Sequence, residues 1–438
     1  MKRLTRILLL SVTTLVLLGT VTLFSSTTYR PPLDRLYLHL GWIAAGSVGC
    51  AFAALIDYGR LRRFHLPECL LAAAGLLLVA VLVPGVGVVK NGAARWLAFG
   101  QPSELAKLAL IIFLADYGAR QQTRMQERDT GCVHPGAIVG LVVLLVFLEP
   151  DWGTAALLAA VSLALLTVAG THWGYLISAT VIGAELFLLL LLNNPLRMDR
   201  LLVFLDPEKY RGGIGWQGWH ALLALGSGGW LGTFWGEGSH KNGFVPEQQT
   251  DLVLSLIGEE TGFLGTALVL LLFVVILLCG ARIAWRVADP FAQLLAFGIT
   301  LLICLQAFIN IAVATSSLPN KGIALPFVSY GGSNLVCMSI GLGLLISVAR
   351  HGPLLAEPNL ENALTAPGKP KVGGPVGSLL RSSLQSVPKG LWPKLVCWRQ
   401  SRRNSPFPSV AVHAYQRLPR GSRPPRPANA LTSRPIVG

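Results

Sequence analysis

Residues 252–278 read LVLSLIGEETGFLGTALVLLLFVVILL, and the polar segment PEQQTD at 246–251 comes directly before them. A helix rises about 1.5 Å per residue, so an apolar run of about 20 residues is long enough to cross a hydrocarbon core of about 30 Å. Apart from Ser255 and the GEET segment at 258–261, the run is largely apolar and does not alternate at every second residue, which favours a helix over a strand of a membrane barrel. We therefore predict a membrane-spanning helix with carboxylates at its entrance, of which Asp251 is the nearest.

Apolar runs of this kind recur along the chain. Hydrophobic residues make up 53% of the sequence and charged residues 13%, and the mean hydropathy is +0.58, which excludes an ordinary soluble protein. The predicted fold is an all-α polytopic membrane protein, a bundle of about ten transmembrane helices. The first run lacks a small-residue cleavage site, so we interpret it as an anchor rather than a signal peptide. The predicted spans lie near residues 6–24, 37–55, 67–83, 103–118, 135–148, 153–169, 174–192, 252–278, 291–315 and 334–349.

Residues 351–438 differ in composition from the rest of the chain. They contain 13 lysines and arginines against two glutamates and are rich in Pro, Ser and Gly, so they lack the apolar residues for a core. We predict a membrane domain over 1–350 and a disordered, basic Pro/Ser/Arg-rich cytoplasmic tail over 351–438. Such a tail beside a membrane span is expected to meet anionic lipid rather than nucleic acid. Lys and Arg residues in the short loops favour cytoplasmic N- and C-termini.

A long segment, residues 194–251, separates the seventh and eighth predicted spans. Connections of this length are uncommon unless they are functional. The segment carries Arg197 and Arg200 and then a section rich in Gly and Trp at 212–235, where glycines would let the backbone approach a ligand or a helix closely. We expect a large extracytoplasmic loop. An interfacial re-entrant loop anchored by tryptophans is the alternative, which composition alone slightly favours.

Further polar residues lie at the ends of predicted spans. Arg95 follows the third span. Glu104 and Lys107 lie three residues apart on one face of the fourth span, where they could form a salt bridge or contact a ligand. Asp151 precedes the sixth span and is expected to cap that helix.

The cysteines and histidines indicate neither a disulfide framework nor a zinc site. The seven cysteines are scattered without a CxxC pair, and the eight histidines show no HExxH spacing. These residues therefore predict no metal or redox chemistry of their own.

Motifs in one fixed order across residues 35–350 resemble a single bacterial family. They are PGVGVVKNGAARWL at 84–97, QPSELAK at 101–107, EPDWGTA at 149–155, RMDRLLVFLDP at 197–207, GSGGWLG at 226–232, PEQQTDLVLSLIGEETGFLG at 246–265 and LPNKGIALPFVSYGGSN at 318–334. The set resembles the FtsW, RodA and SpoVE family of polytopic peptidoglycan glycosyltransferases, and PGVGVVKNGAARW and EPDWGTA are most similar to its FtsW branch. The chain departs from the usual family pattern at His240, Gln249 and Leu252.

The resemblance implies polymerisation of lipid II, an undecaprenyl-pyrophosphate-linked disaccharide pentapeptide, at the outer face of the cytoplasmic membrane. An acceptor 4-hydroxyl would displace the pyrophosphate-lipid of the donor with inversion, which requires a base and a stabilised leaving group. Asp251 resembles the family's catalytic aspartate and would be the general base, a role that contributes about 10²- to 10⁴-fold. On the residues alone, a capping or interfacial role for Asp251 stays open.

Cationic side chains are expected to stabilise the charge that grows on the pyrophosphate. Lys321, Lys241 and Arg95 are favoured because they stand in motifs that resemble those of the family. A divalent ion, Mg²⁺ or Mn²⁺, is left open, and no other cofactor is expected. The candidate substrate-binding residues are Arg95, Glu104, Lys107, Arg197, Arg200, Lys241, Glu247, Lys321 and Ser329.

The resemblance also implies partners and a location. Family members act with a class B penicillin-binding protein, a transpeptidase, and FtsW-like members join other divisome proteins at the septum of the bacterial inner membrane. The alternatives are a RodA-like polymerase of cell elongation, a lipid II flippase and a non-catalytic division scaffold. The sequence shows no convincing internal repeat and places its polar motifs at one membrane face, which counts against a transporter with a site near the midplane.

Overall fold

The structure, a computed structural model, describes residues 1–27, 34–90, 93–97, 100–192, 195–238 and 250–353. These residues belong to one compact unit. Apart from residues 351–353, the predicted basic tail lies outside the described ranges. The tail and the domain boundary near residue 350 therefore stay predictions.

Helices make up most of the described structure. A 3-10 helix (Tyr58–His65) precedes α3, a π-helical turn (Asp129–Val133) precedes α5, and an antiparallel hairpin of β1 (Val88–Lys90) and β2 (Ala93–Trp96) lies between α3 and α4. The α-helices are α1 (Lys2–Thr27), α2 (Asp34–Leu55), α3 (Leu66–Leu82), α4 (Pro102–Arg120), α5 (His134–Leu148), α6 (Trp152–Ala169), α7 (Trp173–Leu192), α8 (Pro195–Leu205), α9 (Trp216–Ser227), α10 (Val253–Arg286), α11 (Pro290–Ala314) and α12 (Gly332–His351).

The predicted spans coincide with α1 to α7 and α10 to α12, and the all-α polytopic membrane fold is confirmed. Within the described ranges, eight helices are long and apolar enough to cross a membrane. The helix α4 is not among them because it carries charges at both ends, and α7 counts only as a shorter apolar helix over Trp173–Leu189. The number of ten crossings therefore stays a prediction.

The centre of the bundle is formed by α4, α6, α11 and α12, whose side chains are the most completely buried. The helix α11 packs against α4, α6, α10 and α12, and α12 also packs along α2. The outer helices expose many Leu, Val, Ile and Phe side chains. Apolar surface of this extent is typical of a face that meets a membrane.

The predicted loop at 194–251 contains two helices that the sequence did not reveal. The structure forms α8 and α9 within it, and its extracytoplasmic placement stays a prediction. The helix α9 packs against α10 and buries Ala221 and Ala224. This tertiary contact stabilises a helix that the Gly and Trp residues of the segment did not predict.

Close backbone approach explains two glycines, Gly232 in this segment and Gly262 in α10. The helix α10 breaks at Gly262, where φ is 66° and ψ is −161°. A Cβ atom at Gly262 would lie 2.5 Å from the backbone nitrogen of Gly232, so only glycine fits. The N–H of Phe263 donates to the carbonyl of Gly229 at 2.9 Å. The glycine-rich section thus holds the segment against the broken helix whose entrance carries Asp251.

Candidate active site

Asp251 lies two residues before the first residue of α10, with its side chain partly buried. Leu252 occupies the N-cap position of the helix, so Asp251 does not hold that position. The amide of Asn310 on α11 donates to the Asp251 carbonyl and to the Ile323 carbonyl, both at 2.7 Å. A buried side chain of the central helix therefore fixes the backbone of Asp251 beside the loop that precedes α12.

Gly322 in that loop brings its backbone close to the Asp251 carboxylate. A Cβ atom built on Gly322 would lie 3.0 Å from Asp251 Oδ2. Few real Cβ atoms make a contact this short, so a larger residue would push the carboxylate away. The absence of a side chain at this position thus helps to define where the carboxylate lies.

A shallow, open cleft lies next to this aspartate and is lined in part by Leu252. Its walls come from α8, α9, the C-terminal end of α11 and the following loop, and they include Arg200, Trp219, Leu252 and Asn320. Asn320 Nδ2 also lies 3.5 Å from Gln217 Oε1, which joins the loop to α9. The cleft therefore has polar and aromatic groups on several sides, as small-molecule sites commonly do.

Arg200 connects the cleft electrostatically to Asp251. Its side chain is exposed at the mouth of the cleft, yet enough protein surrounds it that desolvation lowers its pKa. The positive charge of Arg95 lowers that pKa further, and the Asp251 carboxylate raises it. Arg95 and Asp251 therefore both interact electrostatically with Arg200. Charged groups whose pKa is shifted by burial and by neighbouring charges are typical of functional sites.

Arg95 on β2 clamps the turn between α5 and α6. Its Nε donates to the Glu149 carbonyl at 3.1 Å and its Nη2 to the Pro150 carbonyl at 2.5 Å. Asp151 follows in this turn and accepts hydrogen bonds from the backbone N–H of Thr154 at 3.1 Å and its hydroxyl at 2.9 Å. Asp151 is therefore the N-cap of α6, as the sequence predicted.

Lys321 lies immediately before Gly322 and packs on the first residue of α6. Its Nζ is 5.4 Å from the centre of the Trp152 ring, a cation–π distance. Burial lowers the pKa of the Lys321 ammonium. A desolvated cation one residue from the carboxylate contact is well placed to favour an anionic ligand.

Glu104 and Lys107 belong to a buried polar network beneath the same loop. Lys107 is 1% exposed, and its Nζ lies 2.8 Å from Glu104 Oε2, so the predicted salt bridge is confirmed. Lys107 also donates to Gln306 Oε1 at 2.8 Å, and Gln306 Nε2 donates to the Ala324 carbonyl at 2.9 Å. Asn334 Nδ2 donates to Glu104 Oε2 at 2.8 Å. The network ties α4 to α11, α12 and the loop, and substrate contact by Glu104 or Lys107 stays a prediction.

Ser329 is also engaged within the protein. Its hydroxyl accepts a hydrogen bond from the Leu325 N–H at 2.8 Å, and its N–H donates to the Leu325 carbonyl at 3.0 Å. The side chain is 4% exposed and closes a turn in the loop before α12. Its expected substrate contact remains untested.

The remaining candidate residues fall outside what the structure describes. Lys241 and Glu247 lie in 239–249, and the side chain of Arg197 on α8 is not described. Among the described residues, no group of three or more His, Cys, Asp or Glu side chains could hold a metal ion. Mg²⁺ commonly needs only one or two carboxylates together with substrate phosphates, so the divalent ion stays a prediction and we derive no step through it.

Sequence reasoning missed three residues at this site. Gln306 and Asn310 are one helical turn apart in a largely apolar span. Polar side chains inside a membrane span indicate function, so these two residues could have been predicted from the sequence. The third is Glu149, whose carboxyl group is fully buried in the turn that Arg95 clamps. Its importance could not be read from the motif, because burial depends on how β2, α5 and α6 meet.

Comparisons with known proteins agree with this architecture. The family model FTSW_RODA_SPOVE, described as "Cell cycle protein", matches residues 2–353, a longer range than the 35–350 expected from motifs. A probable peptidoglycan glycosyltransferase FtsW of Trichlorobacter lovleyi is 35% identical over 353 residues, covering 78% of this chain and 92% of that protein. Stage V sporulation protein E of Bacillus subtilis is 37% identical over 310 residues, covering 70% of this chain and 84% of that protein.

Solved structures show the same fold. A chain from a peptidoglycan synthase complex, solved for its coordination of polymerization and crosslinking, is 28% identical with a TM-score of 0.67 and covers 78% of this chain and 96% of that chain. The rod shape determining protein RodA of Thermus thermophilus is 28% identical with a TM-score of 0.58, covering 78% and 95%. Because the family model spans most of the sequence and curated relatives are 35% and 37% identical to it over the aligned residues, the chain belongs to the FtsW, RodA and SpoVE family.

Proposed function

We propose that the chain is a peptidoglycan glycosyltransferase that joins lipid II units into glycan strands during cell division. The observation that carries the proposal is the partly buried Asp251 carboxylate at a cleft where it acts on Arg200, with the charge of Arg95 nearby. An acidic group beside several cations suits a reaction that removes a proton and releases a pyrophosphate. The names of the FtsW relatives support the same activity.

In the proposed step, the acceptor 4-hydroxyl attacks the anomeric carbon of the donor sugar. The new carbon–oxygen bond forms on one face while the bond to the lipid pyrophosphate breaks on the other, so the α-linked donor gives a β-linked product. Asp251 takes the hydroxyl proton, and the pyrophosphate-lipid leaves with the bonding electron pair. The Asp251 backbone is held by Asn310 on α11, and its carboxylate lies against Gly322. Little entropy would therefore be lost in placing the carboxylate beside the acceptor hydroxyl.

Arg200, Arg95 and Lys321 are proposed to stabilise the leaving pyrophosphate. The Arg200 side chain lines the cleft, and the positive charge of Arg95 lowers the pKa of Arg200. Lys321 is partly desolvated, and an anion nearby would stabilise its charged form. Positive charge aimed at the position where negative charge develops favours the transition state over the bound substrate.

The proposal is tested with the purified full-length chain, lipid II and an Asp251→Asn variant. We expect the wild-type chain to form glycan strands without ATP or an ion gradient, and the variant to lose about 10²- to 10⁴-fold in turnover because the general base is removed. Asp129→Asn, at an exposed residue outside the site, is the control and should keep wild-type turnover. Full turnover by Asp251→Asn would contradict the assignment, and lipid scrambling without polymer would favour a flippase.

We also propose that the chain acts with a class B penicillin-binding protein at the division septum. The support is the similarity to FtsW relatives and to a chain from a synthase complex that couples polymerization to crosslinking. Polymer length and rate measured with and without the transpeptidase test the partnership. A fluorescent fusion tests the location, where side-wall rather than septal signal would instead favour a RodA-like role in elongation.

A further inference from the structure

The carboxyl group of Glu149 is buried in the turn between α5 and α6. It lies at the C-terminal end of α5 and is 0% exposed. Within the part of the chain that the structure describes, neither side-chain oxygen has a hydrogen-bond partner. Such a group is costly to bury as a carboxylate, because a charge loses its hydration without gaining a partner.

Two charged side chains act on this carboxyl group. Burial raises its pKa most, the Asp151 carboxylate at the N-cap of α6 raises it further, and Arg95 on β2 opposes them, with a resulting pKa of about 8. No other charged group of the described elements contributes. Burial, the nearby Asp151 carboxylate and the missing hydrogen bonds all indicate that this carboxyl group is uncharged near neutral pH.

Arg95 is bonded to the backbone of the same turn rather than to this carboxyl group. Its guanidinium donates to the carbonyls of Glu149 and Pro150. A carboxylate is a much stronger acceptor for a guanidinium than a carbonyl is. An ionised Glu149 would therefore compete for Arg95 and neutralise the charge that now acts on Arg200 at the cleft.

We propose that Glu149 is a positioning residue that works as a neutral carboxylic acid and thereby keeps Arg95 on the turn carbonyls with its positive charge directed toward the cleft. This inference rests on the proposed function, because it assumes that an anionic pyrophosphate binds there. Loss of the Glu149 proton draws Arg95 away and weakens binding of the anionic substrate. Because Arg95 is also proposed to stabilise the leaving pyrophosphate, the chemical step is weakened as well, and the combined effect is measured as kcat/KM.

The test compares wild-type chain with Glu149→Gln, which keeps the shape of the side chain but cannot ionise. For wild type, we expect kcat/KM for lipid II to fall as the pH passes about 8, by up to about tenfold per pH unit. In Glu149→Gln, kcat/KM should stay near its neutral-pH value over the same range. Glu127→Gln, at an exposed carboxylate outside the turn, should keep the wild-type profile.

Superimposable pH profiles of kcat/KM for wild type and Glu149→Gln would overturn the proposal. A Glu149→Gln variant that loses substrate affinity at neutral pH would also overturn it, since the amide preserves the neutral state. Infrared difference spectra of wild type minus Glu149→Gln provide a readout that needs no activity. We expect the carbonyl band of a protonated carboxylic acid at neutral pH, and its loss well above pH 8.

The two measurements also separate this proposal from the polymerase assignment. If the wild-type chain makes no polymer from lipid II, the proposed function fails while the infrared band still reports the protonation state of Glu149. If polymer forms and the band is absent, the polymerase assignment survives and the role of Glu149 is wrong.

Discussion

Among single residues, Gly322 offers a sensitive probe of the Asp251 geometry. An alanine at Gly322 places a Cβ atom 3.0 Å from Asp251 Oδ2, so the carboxylate must move. We expect Gly322→Ala to lower kcat for glycan formation by about 10- to 100-fold, because small misplacements of a catalytic group are costly. Thermal stability should change little, since the loop backbone needs no left-handed conformation at this residue.

Gly331 in the same loop supplies the matched control for this prediction. A Cβ atom there would lie 3.6 Å from its nearest neighbour, an ordinary contact distance. Gly331→Ala should therefore keep nearly full kcat. Equal activities of the two variants would show that the approach of Gly322 does not set the position of the carboxylate.

Glu149 also makes a prediction about stability. Its pKa is raised from 4.5 to about 8 in the folded protein, so the folded state holds a proton that the unfolded state releases between these values. Stability therefore falls as the pH rises from about 4.5 to about 8 and does not fall further from this group above that range. Glu149→Gln removes the penalty and should raise the unfolding temperature more at pH 8 than at pH 5. An equal change at both pH values would contradict the buried, neutral state.

At the scale of elements, the network beneath the loop couples α4 to α11. Lys107→Met leaves the buried Glu104 carboxylate without its cation, which we expect to destabilise the fold by about 3–5 kcal/mol. Adding Glu104→Gln should restore part of this loss, because the second change removes the unpaired charge. Thermal unfolding of both variants in detergent measures the difference. A double variant no more stable than Lys107→Met would mean that the ion pair acts only through packing.

The elements also show what the sequence can predict. The long helices followed from long, predominantly apolar runs such as 252–278, because helices satisfy their backbone groups internally in a membrane. The helices α8 and α9 were missed because they depend on tertiary contacts, which α8 makes with α7 and α9 makes with α10. The break at Gly262 was missed for a related reason, since it depends on a backbone contact with Gly232. Asp251 was found through its motif, whereas its contacts with Gly322 and Asn310 join segments far apart in sequence.

For the whole molecule, the two ends of α4 provide a test that separates a polymerase from a transporter. Glu104 lies near the loop of the candidate site, and Asp116 lies about 18 Å further along the helix. Asp116 is 2% exposed and bonds Arg62 at 3.0 Å and Arg120 at 2.6 Å. Arg120 also pairs with Glu68 on α3 at 3.2 Å. These ion pairs connect the far end of α4 to α3 and to the 3-10 helix. A transporter must open at both faces, whereas a polymerase working from one face can keep this end closed.

Loosening that closed end tests the distinction. Asp116→Asn removes a buried acceptor from two arginines, and we expect it to lower stability by about 1.5–3 kcal/mol while leaving kcat for glycan formation unchanged. Glu127→Gln breaks only the exposed pair with Arg124 and should leave stability nearly unchanged. Unfolding temperature, polymer formation and lipid scrambling in vesicles are measured on the same preparations. If Asp116→Asn alters scrambling or turnover while the protein remains folded, the Asp116 end of α4 moves during the reaction cycle. The hypothesis of a polymerase that works from one membrane face would then be wrong.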